Sequence, residues 1–140
     1  MSGGFGDRFW SRHSNPWSGW TRVALGALLL PALWFHHWPS IAVLLVAMAT
    51  NPLWFPPPDP ARHNLDNFMT RAVEGERLWL ERGGRGKGLL AVAGLTLTAG
   101  AVWALWTNRL GASAAFLVPA AALKVGFVMW ASTLPPRQSR

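Results

Sequence analysis

The sequence predicts an all-α membrane protein, a four-helix transmembrane bundle with an amphipathic interfacial helix between spans two and three. Hydrophobic residues make up 51% of the 140-residue chain and charged residues 14%, too little polar surface for a small soluble domain. A helix crosses a bilayer in about 20 residues, so four spans leave room for a single membrane domain. The predicted spans are residues 23–35, 40–55, 88–106 and 112–133.

The basic residues indicate the orientation of these spans. Nearly every Lys and Arg lies in segments that share one side of the bilayer, and the opposite turns, 36–39 and 107–111, hold only Arg109. By the positive-inside rule the Arg-rich side is cytoplasmic, which predicts a multi-pass protein of the inner cell membrane. The net charge of +7 is therefore interpreted as an orientation signal and not as a nucleic-acid surface. The predicted cytoplasmic segments are 1–22, 56–87 and 134–140.

Tryptophan supports the same arrangement. The chain has ten Trp and no Tyr, and most of the indole rings fall near the ends of the predicted spans. Indole prefers the interface between lipid and water, where its ring is buried and its N–H stays hydrated. Trp34 and Trp38 flank the first outer turn, and Trp54 closes the second span.

The second predicted span has a short apolar segment. It offers about 15 apolar residues from Ile41, roughly 22 Å of helix, which is short for a full crossing. A locally thinned bilayer and a re-entrant hairpin are both alternatives. A cleaved signal peptide is disfavoured, because more than twenty residues, most of them polar or aromatic, precede the first span.

The middle loop predicts one further helix. Four prolines, Pro56, Pro57, Pro58 and Pro60, favour an extended segment after span two. Asn64 can then cap a helix over residues 64–82 that lies along the cytoplasmic interface. Its predicted apolar face is interrupted by Glu76, whose carboxylate needs a partner if it is buried. The apolar positions are Leu65, Phe68, Met69, Ala72, Trp79 and Leu80, and the polar ones are Asp66, Asn67, Arg71, Glu74 and Arg77.

Several kinds of chemistry are disfavoured by the residues present. The chain has no Cys, which excludes disulfides, thiolate metal sites and a cysteine nucleophile. Phosphate-binding glycine loops and zinc-protease motifs are also absent, so we expect no metal and no cofactor. His36 and His37 point about 100° apart on a helix and are interpreted as interfacial imidazoles, with haem ligation as the alternative.

Two Asn-Pro units predict where a site would form. Asn15-Pro16 precedes span one and Asn51-Pro52 ends span two, so antiparallel packing brings both to the cytoplasmic level. The amides can cap helix ends, or they can bind a ligand. The expected ligand-binding residues are Asn15, Arg22, Asn51, Arg71, Arg77 and Lys124, with His13 and Glu76 as candidate catalytic residues.

Lys124 is unusual because it lies well inside span four. Three interpretations remain open: snorkelling toward the cytoplasmic interface, a structural pair with Glu76, or direct contact with a ligand or proton. A buried ammonium in a membrane helix usually faces the bundle interior or a hydrated cavity.

Two classes of function compete. The favoured one is binding of an anionic lipid head group or a small anionic ligand by arginines, whose guanidinium groups suit phosphate and carboxylate. The alternative is a membrane enzyme for a lipid or isoprenoid-like substrate, with His13 or Glu76 as general acid or base. A small transporter is less favoured. The expected partners are the bilayer, an anionic lipid and a second copy of the chain. The small residues of span three permit a close helix contact within the bundle or in a dimer, and they are Ala91, Gly94, Gly100 and Ala104.

Three strings resemble the signature of a family of small, uncharacterised bacterial and archaeal membrane proteins. They are His13-Ser14-Asn15-Pro16-Trp17-Ser18-Gly19-Trp20-Thr21-Arg22, Asn51-Pro52-Leu53-Trp54-Phe55-Pro56-Pro57-Pro58 and Arg71-Ala72-Val73-Glu74-Gly75-Glu76-Arg77-Leu78-Trp79-Leu80. The resemblance covers roughly the first 80 residues, with Phe68 at a position where the family prefers Trp. It implies a shared cytoplasmic site and does not name a ligand.

Overall fold

The computed structural model describes residues 10–58, 67–81 and 86–134, and this part of the chain is helical without strands. Residues 10–13 form a short helical turn that precedes the longer helices. The prediction of an all-α fold is therefore confirmed for the described residues. The five longer helices are α1 (Pro16–Trp34), α2 (Trp38–Trp54), α3 (Phe68–Glu81), α4 (Gly86–Trp106) and α5 (Leu110–Ala131).

Helix α1 begins seven residues before the predicted span 23–35, because Asn15 and Pro16 supply a complete start signal. The Asn15 side chain accepts a hydrogen bond from the Trp17 N–H at 3.0 Å, and Pro16 needs no backbone partner at the first helical position. The helix ends at Trp34, and two residues later His36 takes a left-handed backbone conformation with φ 53°.

Helices α1 and α2 form one antiparallel hairpin, and α4 and α5 form another. At one end of the first hairpin, Ile41 packs in a cluster with Ala32 and Leu33. At the other end, Asn51 hydrogen bonds to Ser18. Helix α2 is thus one continuous 17-residue helix that follows α1 over its length.

The two hairpins meet where their turns lie side by side, which we call the outer end, residues 35–37 and 107–109. The His36 Nε2 atom lies 2.7 Å from the Trp106 carbonyl oxygen, and the Asn108 amide donates to the Trp34 carbonyl at 2.8 Å. The turn of each hairpin therefore supplies a side chain that lies within hydrogen-bonding distance of the last carbonyl of a helix in the other hairpin, α1 in one case and α4 in the other. Leu105 joins the cluster of Ala32, Leu33 and Ile41 beneath these contacts.

These contacts are reciprocal because the two turns are equivalent at a spacing of 72 residues. At this spacing Trp34 corresponds to Trp106, and His36 corresponds to Asn108. Asn108 has φ 52°, close to the value of His36. The backbone bond from His37 N to Ala32 O recurs from Arg109 N to Ala104 O, both at 2.9 Å. Such an exchange of equivalent contacts is the property of a two-fold interface.

Helix α3 packs against α5 and α1 at the opposite end of the bundle, which we call the inner end, where α1 begins and α2 and α5 end. Gly75 touches the last turn of α5 so closely that a Cβ atom would lie 1.9 Å from the Ala131 carbonyl oxygen. The Thr70 hydroxyl donates to the Ser14 carbonyl at 3.1 Å. Small residues thus let this helix approach the bundle.

The start and the buried face of α3 differ in detail from the prediction. The described helix begins at Phe68, and Asn67 accepts from the Thr70 N–H at 2.9 Å, as a helix cap does. The predicted cap Asn64 lies outside the described residues. Phe68 and Leu80, expected on the apolar face, are 40% and 49% exposed, because the small residues form the contact. The buried residues of α3 are Thr70, Ala72, Val73 and Gly75.

Helices α4 and α5 are each long and apolar enough to cross a membrane. Only 17% of the apolar stretch of α4 and 6% of that of α5 is buried within the protein. Helix α2 is apolar but shorter, at 17 residues. The apolar residues of α4 and α5 are therefore mostly on the outside of the bundle and not in its core.

Candidate functional site

A hydrogen-bonded polar network lies at the inner end between α1 and α2. The Ser18 hydroxyl donates to Asn51 Oδ1 at 2.7 Å, and the Asn51 amide donates to the Thr21 hydroxyl at 2.7 Å. Ser18 and Asn51 are both fully buried. Buried amide and hydroxyl groups need hydrogen-bond partners, and in this network the amide and the hydroxyls are partners of one another. The network joins α1 to α2 and fixes their relative position along the helix axes.

Asn15 performs a similar task one turn below this network. Its Oδ1 atom caps α1, and its amide donates to the Pro56 carbonyl at 3.0 Å, so it ties the start of α1 to the segment after α2. The structure therefore brings both Asn-Pro units to the same end of the bundle. It also commits the amides of Asn15 and Asn51 to internal hydrogen bonds.

Beside the network, four ionisable side chains from three parts of the chain come together: His13, Arg22, Glu76 and Lys124. We call them the charged cluster. The Arg22 Nη1 atom lies 2.6 Å from His13 Nε2, and Arg22 Nε donates to the Ser18 carbonyl at 3.1 Å. The Lys124 ammonium stands 3.9 Å from Glu76 Oε1. A Lys124–Glu76 pair, one of the three interpretations of Lys124, is therefore present.

The charges of the cluster act on one another. Burial, followed by the positive charges of Arg22 and Lys124, lowers the pKa of His13 from 6.5 to about 4. His13 is thus neutral at pH 7 and can accept a hydrogen bond from Arg22. The Glu76 carboxylate is close enough to Arg22 to interact electrostatically with its guanidinium. With His13 neutral, two cations face one carboxylate, and the cluster keeps a net positive charge.

An apolar groove of about 410 Å³ opens next to the charged cluster, between α4 and α5. Trp79 of α3 closes it on one side, and its ring packs edge-on against Phe127 at 5.0 Å. Lys124 and Glu76 belong to its wall. The remaining lining residues are Leu90, Ala91, Gly94, Thr98, Ala120 and Leu123. The site therefore combines a charged patch with an apolar groove.

Comparison with known families gives one match. Residues 1–86 of the 140-residue chain match a Family of unknown function (DUF6653), which is more than half of the sequence. The chain belongs to this family. Comparisons with curated proteins and with solved structures find no match.

The DUF6653 match contains α1, α2 and α3 and ends where α4 begins. It therefore includes His13, Arg22 and Glu76 of the charged cluster, together with Asn15 and Asn51. Lys124 and most of the groove wall lie beyond it. The sequence resemblance to an uncharacterised family covers roughly the first 80 residues, and this matches the range and the unknown function of the family found by comparison.

Two predicted ligand residues of this DUF6653 chain are not brought into the charged cluster. Arg77 pairs with Glu81 at 2.9 Å on the surface of α3. Arg71 is exposed, and it precedes Glu76 by five residues, which places it about 140° around the helix from that carboxylate. His36 and His37 lie at the outer end. The fourth histidine of the chain, His63, lies outside the described residues.

The position of the groove was not predicted from the sequence. Of the small residues of span three that permit a close helix contact, Ala91 and Gly94 line the groove, whereas Ala104 is fully buried and Gly100 lies against the Phe116 ring. Small residues permit both arrangements, and only the packing decides between them. Within the described ranges, no three His, Asp or Glu side chains lie close enough together to hold a metal ion.

Proposed function

We propose that this DUF6653 member is an integral membrane protein in which α1, α2, α4 and α5 cross the bilayer. The support is the pattern of exposed side chains, because apolar residues cover the middle of the bundle and tryptophans lie toward its ends. A soluble monomer rarely exposes so large an apolar surface. The exposed tryptophans include Trp17, Trp20, Trp54 and Trp130 toward the inner end, and Trp38 and Trp103 toward the outer end.

Helix lengths agree with this proposal. At 1.5 Å per residue, the 21 residues of α4 and the 22 of α5 extend about 31 and 33 Å, close to the thickness of a hydrocarbon core. Helix α2 is shorter but packs along α1 to the same outer and inner ends. We therefore place the inner end at the cytoplasmic face, with α3 along that interface, as the distribution of basic residues predicts.

At the inner end, we propose that the charged cluster binds an anion, either a lipid head group or a small anionic ligand. The observation that carries this proposal is the exposure of Lys124, whose side chain is 66% exposed while its ammonium stands 3.9 Å from Glu76. At that distance the ammonium makes no direct hydrogen bond to the carboxylate and retains donors for a ligand. Arg22 adds a second cation within the same cluster.

The enzyme alternative has less support from the geometry. Arg22 occupies the space next to the His13 ring, at 2.6 Å, and His13 is already a weak base with a pKa of about 4. A general base is most effective with a pKa near the working pH. We therefore favour binding.

The binding proposal is tested by native mass spectrometry of the protein purified from its own membrane in a mild detergent. The wild type should retain an anionic molecule, and the double variant Arg22→Gln, Lys124→Gln should lose at least about 90% of it, because both cations are removed. Arg109→Gln, which removes one positive charge at the outer end, should retain it. Equal retention in all three proteins would contradict the proposal.

A further inference from the structure

The two hairpins differ most at their inner ends, although the outer turns repeat. A spacing of 72 residues places Leu90 where Ser18 stands and Leu123 where Asn51 stands. In the first hairpin, Ser18 and Asn51 form a buried hydrogen bond of 2.7 Å that joins α1 to α2. Two leucines cannot form such a bond. The second hairpin therefore lacks the polar contact that closes the first.

The groove occupies this open position. Leu90 and Leu123 both line it, together with Gly94, which stands where Arg22 stands in the first hairpin. Its volume of about 410 Å³ is within the range of pockets that hold small organic ligands. The wall is mostly apolar, so the groove is suited to a hydrocarbon chain.

The position of the groove and the charges beside it limit which kind of molecule could bind there. The groove lies between α4 and α5, the two helices most able to cross a membrane, and is therefore reached from the lipid in the proposed orientation. Its charged residues are Glu76 and Lys124, which belong to the charged cluster. A molecule with an anionic head and an apolar chain would satisfy both parts of the site.

We infer that the ligand is an anionic phospholipid of the inner leaflet, with its phosphate at Lys124 and Arg22 and one hydrocarbon chain in the groove. This inference rests on the proposed function, since it names the class of ligand that the charged cluster binds. It differs from binding of a free anion in one respect: the groove contributes to affinity. Head and chain can therefore be tested separately.

The test uses dioleoyl phosphatidate titrated into the detergent-solubilised full-length protein and followed by native mass spectrometry. Gly94→Leu fills the groove, and a Cβ at Gly94 meets no atom within 4 Å, so the backbone has no reason to move. Gly126→Leu is the matched control, because Gly126 also has open space around it and does not line the groove. We expect phosphatidate affinity to fall at least about tenfold in Gly94→Leu and less than about twofold in Gly126→Leu.

Dihexanoyl phosphatidate has the same head group and short chains, and it should bind the wild type at least about tenfold more weakly than the dioleoyl lipid. If Gly94→Leu binds the dioleoyl lipid like the wild type while Lys124→Gln weakens it, the inference about the chain is wrong and the charged cluster remains a binding site. If neither variant changes the affinity, the proposed function fails as well.

Discussion

His13 shows how neighbouring charges determine what a side chain can do. Its ring sits beside the Arg22 guanidinium, and burial with the two nearby cations lowers its pKa to about 4. The imidazole is therefore neutral in the folded protein at a pH where a free histidine is already protonated. The cluster at pH 7 has its positive charge on Arg22 and Lys124, and His13 serves as a hydrogen-bond acceptor.

This lowered pKa makes stability depend on pH. Because the folded pKa of about 4 lies below the unfolded value of 6.5, the unfolded chain takes up the proton first as pH falls. Stability should be complete above pH 6.5 and should decrease between about pH 6.5 and 4. We expect a loss of up to about 1 kcal/mol between pH 7.5 and 5.5, allowing for the partial exposure of the ring.

Thermal unfolding in detergent at these two pH values measures the effect. The pH dependence should be reduced in His13→Gln and should persist in His37→Gln, whose imidazole lies at the outer end. A wild-type protein whose stability does not change over this interval would show that His13 is not held neutral.

At the level of helices, the contact between α3 and α5 depends on the absence of one side chain. Gly75 places its Cα against the Ala131 carbonyl, at the end of α5. The same helix contributes Glu76 to the charged cluster and Trp79 to the groove. The position of α3 therefore affects the geometry of the whole site, although Gly75 itself contributes no side chain to the cluster.

Gly75→Ala should displace α3, since the new Cβ would lie 1.9 Å from the Ala131 oxygen. We expect a loss of about 1–3 kcal/mol in the free energy of unfolding and faster hydrogen exchange in residues 68–81. Gly126→Ala, in open space on α5, should be neutral or slightly stabilising, because Ala favours a helix over Gly. Unchanged exchange in Gly75→Ala would mean that α3 does not depend on this contact.

The helices were predicted more accurately than the site, for physical reasons. Hydrophobicity sets helix type and approximate position, so the bounds of α2 and α4 agree with the predicted spans to within two residues at each end. The start of a helix depends on its capping residue. Because Asn15 caps α1, this helix begins well before the apolar segment from which the first span was predicted. The pair of Glu76 and Lys124 was one of three interpretations that the sequence left open, because a charge within an apolar segment can be paired, can snorkel or can contact a ligand. The groove depends on how far α4 and α5 separate, which no local pattern specifies.

For the whole molecule, the proposed membrane orientation can be tested directly because the chain has no cysteine. In intact cells, a cysteine introduced by Gly111→Cys should react with an impermeant thiol reagent, since residue 111 follows the outer turn and has open space around it. Ser139→Cys should react only after the cells are permeabilised. Labelling of both positions in intact cells, or of neither, would contradict four spans with a cytoplasmic inner end.

The reciprocal turns have a consequence for the ancestry of the chain. Two separate copies of one hairpin could form the contacts of His36 and Asn108 by rotation alone, and tandem duplication of the encoding segment would preserve them within a single polypeptide. Fusion frees each copy to change independently, which would account for a polar inner end in α1 and α2 and an apolar one in α4 and α5. On that account the outer end would retain the common origin, and the inner end would be where the two copies diverged.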